Sequence, residues 1–202
     1  MPIRALLADA FGTLVDLGVK RWPYARLAQL AARPEAGRLV MTRSLGLVEA
    51  AQALGVPLEP AEHARLEQDL VAELDGLFPF PEVAEVLGDL RERGIKIAVI
   101  SNLAEPYGRA LRRALPVEPD LWVMSYEVGL VKPDPAIFAF ACRRLDVAAP
   151  EALMVGDSLR ADVFGARAAG VAAVHLDRRG AERAGYDGPS ISDLTGVRSF
   201  VV

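Results

Sequence analysis

Ala5-Leu6-Leu7-Ala8, followed at once by Asp9-Ala10-Phe11-Gly12-Thr13-Leu14, has the pattern of a short strand buried on both faces and then a tight turn. The apolar run stops abruptly at Asp9. Gly12 lets the backbone turn and approach a ligand closely, and Thr13 adds a hydroxyl beside the amides of the turn. A carboxylate at the carboxyl end of a buried strand, among backbone donors, suits a nucleophile and an anion site. The same residue serves equally well as a cap for the next segment. By itself the stretch leaves the two readings level.

Beyond residue 79 the strand pattern returns and alternates with helices. Val83, Val86, Leu87 and Leu90 mark one face of a helix over 81–93, which Gly94 ends. A strand over 95–100 runs into Ser101-Asn102. Further segments are a helix over 106–115, a strand over 121–124, and a helix that Asp134-Pro135 opens and that runs to 145. A strand over 152–155 then ends in Gly156-Asp157, a helix over 161–169 stops at Gly170, and a strand covers 171–176. This alternation predicts an α/β fold: a Rossmann-like parallel sheet with helices on both faces. Parallel strands bring their carboxyl ends to one edge, so Asp9, Ser101, Lys132 and Asp157 are expected to converge there.

Residues 16–78 have a different character. Helical patterns cover 22–32, then 35–54 with a break at Gly46, then 60–74, where Leu66, Leu70 and Leu74 share a face. No convincing strand is visible in this region. It reads as a helical cap domain of four helices or fewer, inserted into a core formed by 1–15 and 79–202. Hinges near Asp16–Gly18 and Phe78–Pro81 would let it close over the site. From Asp177 onward the tail is polar and glycine-rich, with one short apolar segment at its end.

The 202 residues suit one domain with an insertion, and an apolar fraction of 52% allows a sizeable core. The net charge of −4 and the scattering of the 23 basic residues argue against a nucleic-acid partner. No apolar run is long enough to span a membrane, and the amino terminus lacks a signal-peptide pattern, so the default location is cytoplasmic. A lone cysteine, Cys142, rules out an internal disulfide and reads as a buried thiol. His63 reads as a solvated helix residue and His175 as a satisfied histidine on a late strand. Trp22 and Tyr24 are assigned to helix packing, with contact to a substrate as the alternative. Nothing in the sequence gives the oligomeric state.

Asp9-x-x-Gly12-Thr13-Leu14, Ser101-Asn102, Lys132-Pro133 and Gly156-Asp157-Ser158-Leu159-Arg160-Ala161-Asp162 occur in that order, and together they resemble the four motifs of the haloacid dehalogenase superfamily. The resemblance covers almost the whole chain, although 16–78 matches only in length and character. It implies a hydrolase in which Asp9 is a nucleophile that forms an aspartyl-phosphate and Lys132 balances charge. Ser101, Asn102, Gly12 and Thr13 would bind the phosphate of a small substrate. Magnesium would be held by Asp9, the Phe11 carbonyl, Asp157 and Asp162. The residues themselves fit this chemistry, because three carboxylates in one pocket need a compensating cation. Each residue also has a plain structural reading: Asp157 and Asp162 as helix caps, Lys132 as a solvated loop lysine, Ser101-Asn102 as a strand-end turn.

One position departs from the phosphatase pattern. Those enzymes carry a second aspartate two residues after the nucleophile, where this chain has Phe11. That aspartate protonates the leaving group, a service worth roughly a hundred- to ten-thousand-fold in rate. An aromatic residue there resembles the 2-haloacid dehalogenase branch, whose halide leaves without a proton and whose chemistry needs no metal. That branch holds its substrate with a cap arginine, for which Arg21, Arg38 and Arg43 are available. Three readings follow in order: magnesium-dependent phosphate chemistry through Asp9, haloacid dehalogenation, and a non-catalytic protein that binds phosphate or metal.

Overall fold

The computed structural model describes residues 1–180 and 186–201. In chain order the elements are β1 (Ala5–Ala8), β2 (Val15–Leu17), α1 (Pro23–Leu30), α2 (Ala36–Thr42), α3 (Leu47–Leu54) and α4 (Pro60–Asp75). Next come β3 (Leu77–Pro79), α5 (Val83–Glu92), β4 (Lys96–Ser101), α6 (Glu105–Ala114), β5 (Leu121–Met124), α7 (Ser125–Val128) and α8 (Pro135–Leu145). β6 (Ala152–Gly156), α9 (Gly165–Ala168), β7 (Ala172–Leu176) and β8 (Ser190–Ile191) complete the series. A π-helical turn, Leu159–Phe164, leads into α9, and Leu194–Phe200 forms a 3-10 helix.

Six strands make one sheet in the order β5-β4-β1-β6-β7-β8, and every neighbouring pair is parallel. β1 is central: Ala8 pairs with Val99 of β4 on one side and Val155 of β6 on the other. Its side chains alternate between two apolar layers. Leu6 and Ala8 join one cluster with Leu87 and Leu90 of α5, Leu111 of α6, and Leu27, Leu54 and Leu66 of α1, α3 and α4. Ala5 and Leu7 join the other with Phe138, Ala141 and Cys142 of α8 and Ala166 of α9. A strand covered on both faces has no polar side to show, which is why its sequence is a continuous apolar run.

The alternating half of the chain folds as its pattern predicts. The 16–78 segment contains four helices, and the 35–54 pattern splits at 43–46 into α2 and α3. The expectation of no strand there is corrected: β2 and β3 pair antiparallel, Val15 with Pro79 and Leu17 with Leu77, at the two points where the segment leaves and rejoins the core. Three-residue strands are too short to show a period, so only their pairing reveals them. In the tail, 181–185 and 202 lie outside the described residues, and the apolar end segment is the 3-10 helix, which packs its buried Leu194 and Val197 into the core. No helix among the described residues is long and apolar enough to cross a membrane.

Candidate active site

The carboxyl ends of β1, β4 and β6 lie side by side, so the residues that follow them meet. Asp9, 6% exposed, donates its backbone N–H to Val155 O at 2.9 Å, which keeps it in register with the sheet. Lys132, 5% exposed, reaches in from the loop after α7 and places Nζ 2.5 Å from Asp9 Oδ1 and 2.7 Å from Asp162 Oδ1. Asp9, Asp157 and Asp162 each offer an oxygen, and these oxygens lie within 4.8 Å of one another. The Lys132 ammonium thus bridges two of the three clustered carboxylates.

Electrostatics follow from that closeness. Burial pushes the Asp9 carboxyl up, Lys132 pulls it back, and the carboxylates of Asp162 and Asp157 push it again, leaving it at about 7. Burial works against the Lys132 ammonium, but Asp162 and Asp9 outweigh it and hold it well above the ordinary lysine range. Lys132 is therefore a fixed positive charge.

Local structure explains how the acids come so close. Gly12 has φ +81°, and a Cβ on it would lie 2.2 Å from Asp157 Oδ2; one on Gly156 would lie 2.2 Å from Asp162 Oδ2. Bare backbone is the floor on which both carboxylates rest. Asp162 also accepts from the Ser158 N–H at 3.0 Å, and the side chain that caps the following turn is that of Ser158. The capping role open to Asp157 in the sequence is thus taken by its neighbour.

The residues expected to bind phosphate are placed less simply. The N–H of Gly12 is spent on Val15 O at 2.7 Å and that of Thr13 on Ala10 O at 3.3 Å. Among the described residues no hydrogen bond uses the N–H of Ala10 or Phe11, so the open donors of the turn sit two residues earlier than expected. The Thr13 hydroxyl is buried without a hydrogen-bond partner among the described residues. Ser101 is buried at the end of β4. The Asn102 side chain donates to Lys132 O and accepts from the Lys132 N–H, both at 2.8 Å, so its amide positions the lysine.

Two cavities flank Phe11. One, of about 280 Å³, lies between the core and α1–α2 and is walled by Phe11, Trp22, Tyr24, Met41, Leu103 and Tyr107 among others. The other, of about 360 Å³, is bordered by Gly12, Asp157, His175 and Arg178. Arg21, Arg38 and Arg43 are exposed and border neither. His175 is buried, with Nε2 3.0 Å from Asp157 O.

Three supporting residues escaped the sequence reading. Ser125 accepts from the Leu103 N–H at 3.0 Å and steadies the loop after β4. Arg178 donates to Thr13 O at 2.8 Å and braces the turn after Asp9. Both follow strand ends, the signal that found the other site residues. Glu73 is fully buried on α4, takes the N–H groups of Arg21 and Trp22, and accepts from the Tyr107 hydroxyl. It lies seven residues after Leu66, and that spacing places it on the buried face.

The sequence profile of the haloacid dehalogenase-like hydrolases matches residues 3–170. Phosphoserine phosphatase of Thermus thermophilus is 41% identical over 101 residues, which are 49% of this chain and 41% of that protein. (S)-2-haloacid dehalogenase 1 of a Pseudomonas strain is 29% identical over 199 residues, covering 88% of this chain and 86% of that protein. The chain spans less than half the length of the phosphatases it matches at about 40% identity. Among solved structures, a dehalogenase with an intermediate complex superposes with a TM-score of 0.71 at 24% identity, over 99% of this chain and 97% of that one, which establishes a shared fold.

Proposed function

The chain belongs to the haloacid dehalogenase-like hydrolases, and on that footing we propose that it is a magnesium-dependent phosphatase or phosphotransferase working through an aspartyl-phosphate on Asp9. The observation that carries this reading is the cluster of Asp9, Asp157 and Asp162 beside the Lys132 ammonium. Hard oxygen donors fit magnesium, and the two bare glycines leave room for the carboxylates to hold it together with the Phe11 carbonyl. When bound, the ion supplies charge neutralisation and polarisation of a phosphoryl oxygen.

The chain's own residues do the rest. Asp9 attacks phosphorus in line; the bond from phosphorus to the leaving oxygen breaks, and its electron pair departs with that oxygen. Water then attacks the phosphorus, the bond to Asp9 breaks, and inorganic phosphate leaves with the carboxylate restored. Lys132 fixes the rotation of Asp9 and balances charge, and Asn102 holds Lys132 in place. The Ser101 hydroxyl and the N–H groups of Ala10 and Phe11 donate to phosphoryl oxygens, while Gly12 and Thr13 shape the turn. Phe11 has no proton to give, so the substrates are small activated phosphates, acyl or aryl, whose leaving groups need none. Residues 16–78 act as the cap over this site, hinged where β2 and β3 pair, in a cytoplasmic enzyme.

Haloacid dehalogenation is the second reading, favoured by Phe11 and by the near full-length relative. Against it stand the three-acid cluster and the exposure of Arg21, Arg38 and Arg43. One assay separates the readings. Nitrophenolate release from p-nitrophenyl phosphate is expected to need magnesium and to vanish in Asp9→Asn and with chelator. Chloride release from 2-chloropropionate in the presence of chelator would replace the proposal with dehalogenation. Magnesium binding without Asp9-dependent turnover of either compound would mark a binding protein.

A further inference from the structure

From the cavity of about 280 Å³ beside Phe11, we infer that the organic group of the substrate is an uncharged, apolar ring-sized moiety, so that the enzyme acts on aryl phosphates or aromatic acyl phosphates. This rests on the phosphate reading and adds to it the nature of the leaving group. Phe11 follows Asp9 by two residues and Asn102 follows Ser101, and both border the cavity. A group attached to a phosphoryl unit between Asp9 and Ser101 therefore enters it directly.

The walls define what fits. Phe11 and Tyr107 stand edge to face with centroids 6.0 Å apart, and Tyr107 and Tyr24 meet at the same distance. Trp22, 54% exposed, borders the mouth. No charged side chain lines the cavity among the described residues. Its polar groups are turned to other work: the Tyr24 hydroxyl donates to Leu45 O at 3.2 Å, that of Tyr107 donates to Glu73, and the Asn102 amide is held by Lys132. A carboxylate or ammonium on the substrate would lose its water there and find no partner. A cavity of about 150 Å³ admits benzene, so this one takes one ring with a short substituent. The charged amino-acid side of a compound such as phosphoserine has no place in it.

The test compares benzoyl phosphate, acetyl phosphate and 4-carboxybenzoyl phosphate, whose leaving carboxylates are similarly weak bases. Expected is a kcat/KM for benzoyl phosphate at least tenfold above the other two, the factor that burial of a ring supplies. Gly37 borders the cavity, and a Cβ on it would meet nothing within 4 Å. Gly37→Leu fills space there, so the benzoyl-to-acetyl ratio should fall at least tenfold; Ala28→Leu is the second variant. Asp9-dependent turnover with a ratio near one, or with the charged ring preferred, overturns the inference and leaves the phosphate reading intact. Absence of Asp9-dependent turnover of all three overturns the phosphate reading, and binding then decides about the cavity. In Trp122→Phe, where Trp22 is the one tryptophan left, phenylphosphonate should quench fluorescence at least tenfold more tightly than methylphosphonate, a gap lost in Gly37→Leu. Equal binding of the two, or binding of neither, overturns the inference.

Discussion

A methyl group on Gly156 would collide with Asp162, and one on Gly12 with Asp157. Gly156→Ala therefore displaces a carboxylate while leaving β6 in the sheet. The magnesium concentration that half-saturates p-nitrophenyl phosphate turnover should rise roughly ten- to a hundredfold, with an unchanged far-ultraviolet dichroism spectrum. A variant with wild-type magnesium dependence would remove Asp162 from the proposed metal set. Gly12 is legible in the sequence as a turn glycine. That Gly156 carries a second acid is not legible, because the contact joins a strand end to a helical turn six residues later.

At the scale of elements, α4 does more than its leucines suggest. Leu66 is fully buried, but Leu70 and Leu74 are only half-buried, and the second buried position is Glu73. Its carboxyl group binds the start of α1 and also reaches Tyr107 on α6, so one side chain ties the inserted helices to the core. It also secures Trp22, whose backbone is left-handed at φ 57° and ψ 51°, a conformation a tryptophan adopts only when held. Glu73→Ala leaves two part-buried N–H groups and the buried Tyr107 hydroxyl without this acceptor. The expected loss is about 3–5 kcal/mol of stability, read as a fall in Tm of roughly 10 °C. A fall under about 2 °C would mean that water replaces the carboxyl.

Across the whole molecule, Arg178 gathers distant parts of the chain. It follows β7, donates to Thr13 O in the turn after Asp9, pairs with Glu82 at 2.6 Å, and lies 3.7 Å from the Phe80 ring centroid. Glu82 in turn accepts from the Leu194 N–H at 3.4 Å, at the start of the 3-10 helix. Burial pushes the Glu82 carboxyl up, but its own backbone N–H and Arg178 outweigh burial and hold it below its ordinary value of 4.5. Because the folded value is the lower one, this stabilisation is present above about pH 4.5 and is lost as pH falls through the folded value. Glu82→Gln should lower Tm at pH 7 by about 2–4 °C, for a loss of about 1 kcal/mol. The gap should close as pH falls through the folded value of Glu82; a gap that persists in acid would assign the effect to packing.

Legible along the chain were the parallel sheet, the helices of 16–78 and the strand-end placing of Asp9, Ser101 and Asp157, because period and punctuation are local properties of a chain. The tertiary structure alone decided how these groups are partnered. It committed the Gly12 and Thr13 amides to the turn, set Asn102 on Lys132, paired β2 with β3, buried Glu73, and lined the cavity of about 280 Å³ with no charged side chain among the described residues. Apart from the turn amides, each of those outcomes is a contact between elements. No short window of residues contains both partners of such a contact, and the donor or acceptor that wins is set by distance and burial after the chain has closed on itself.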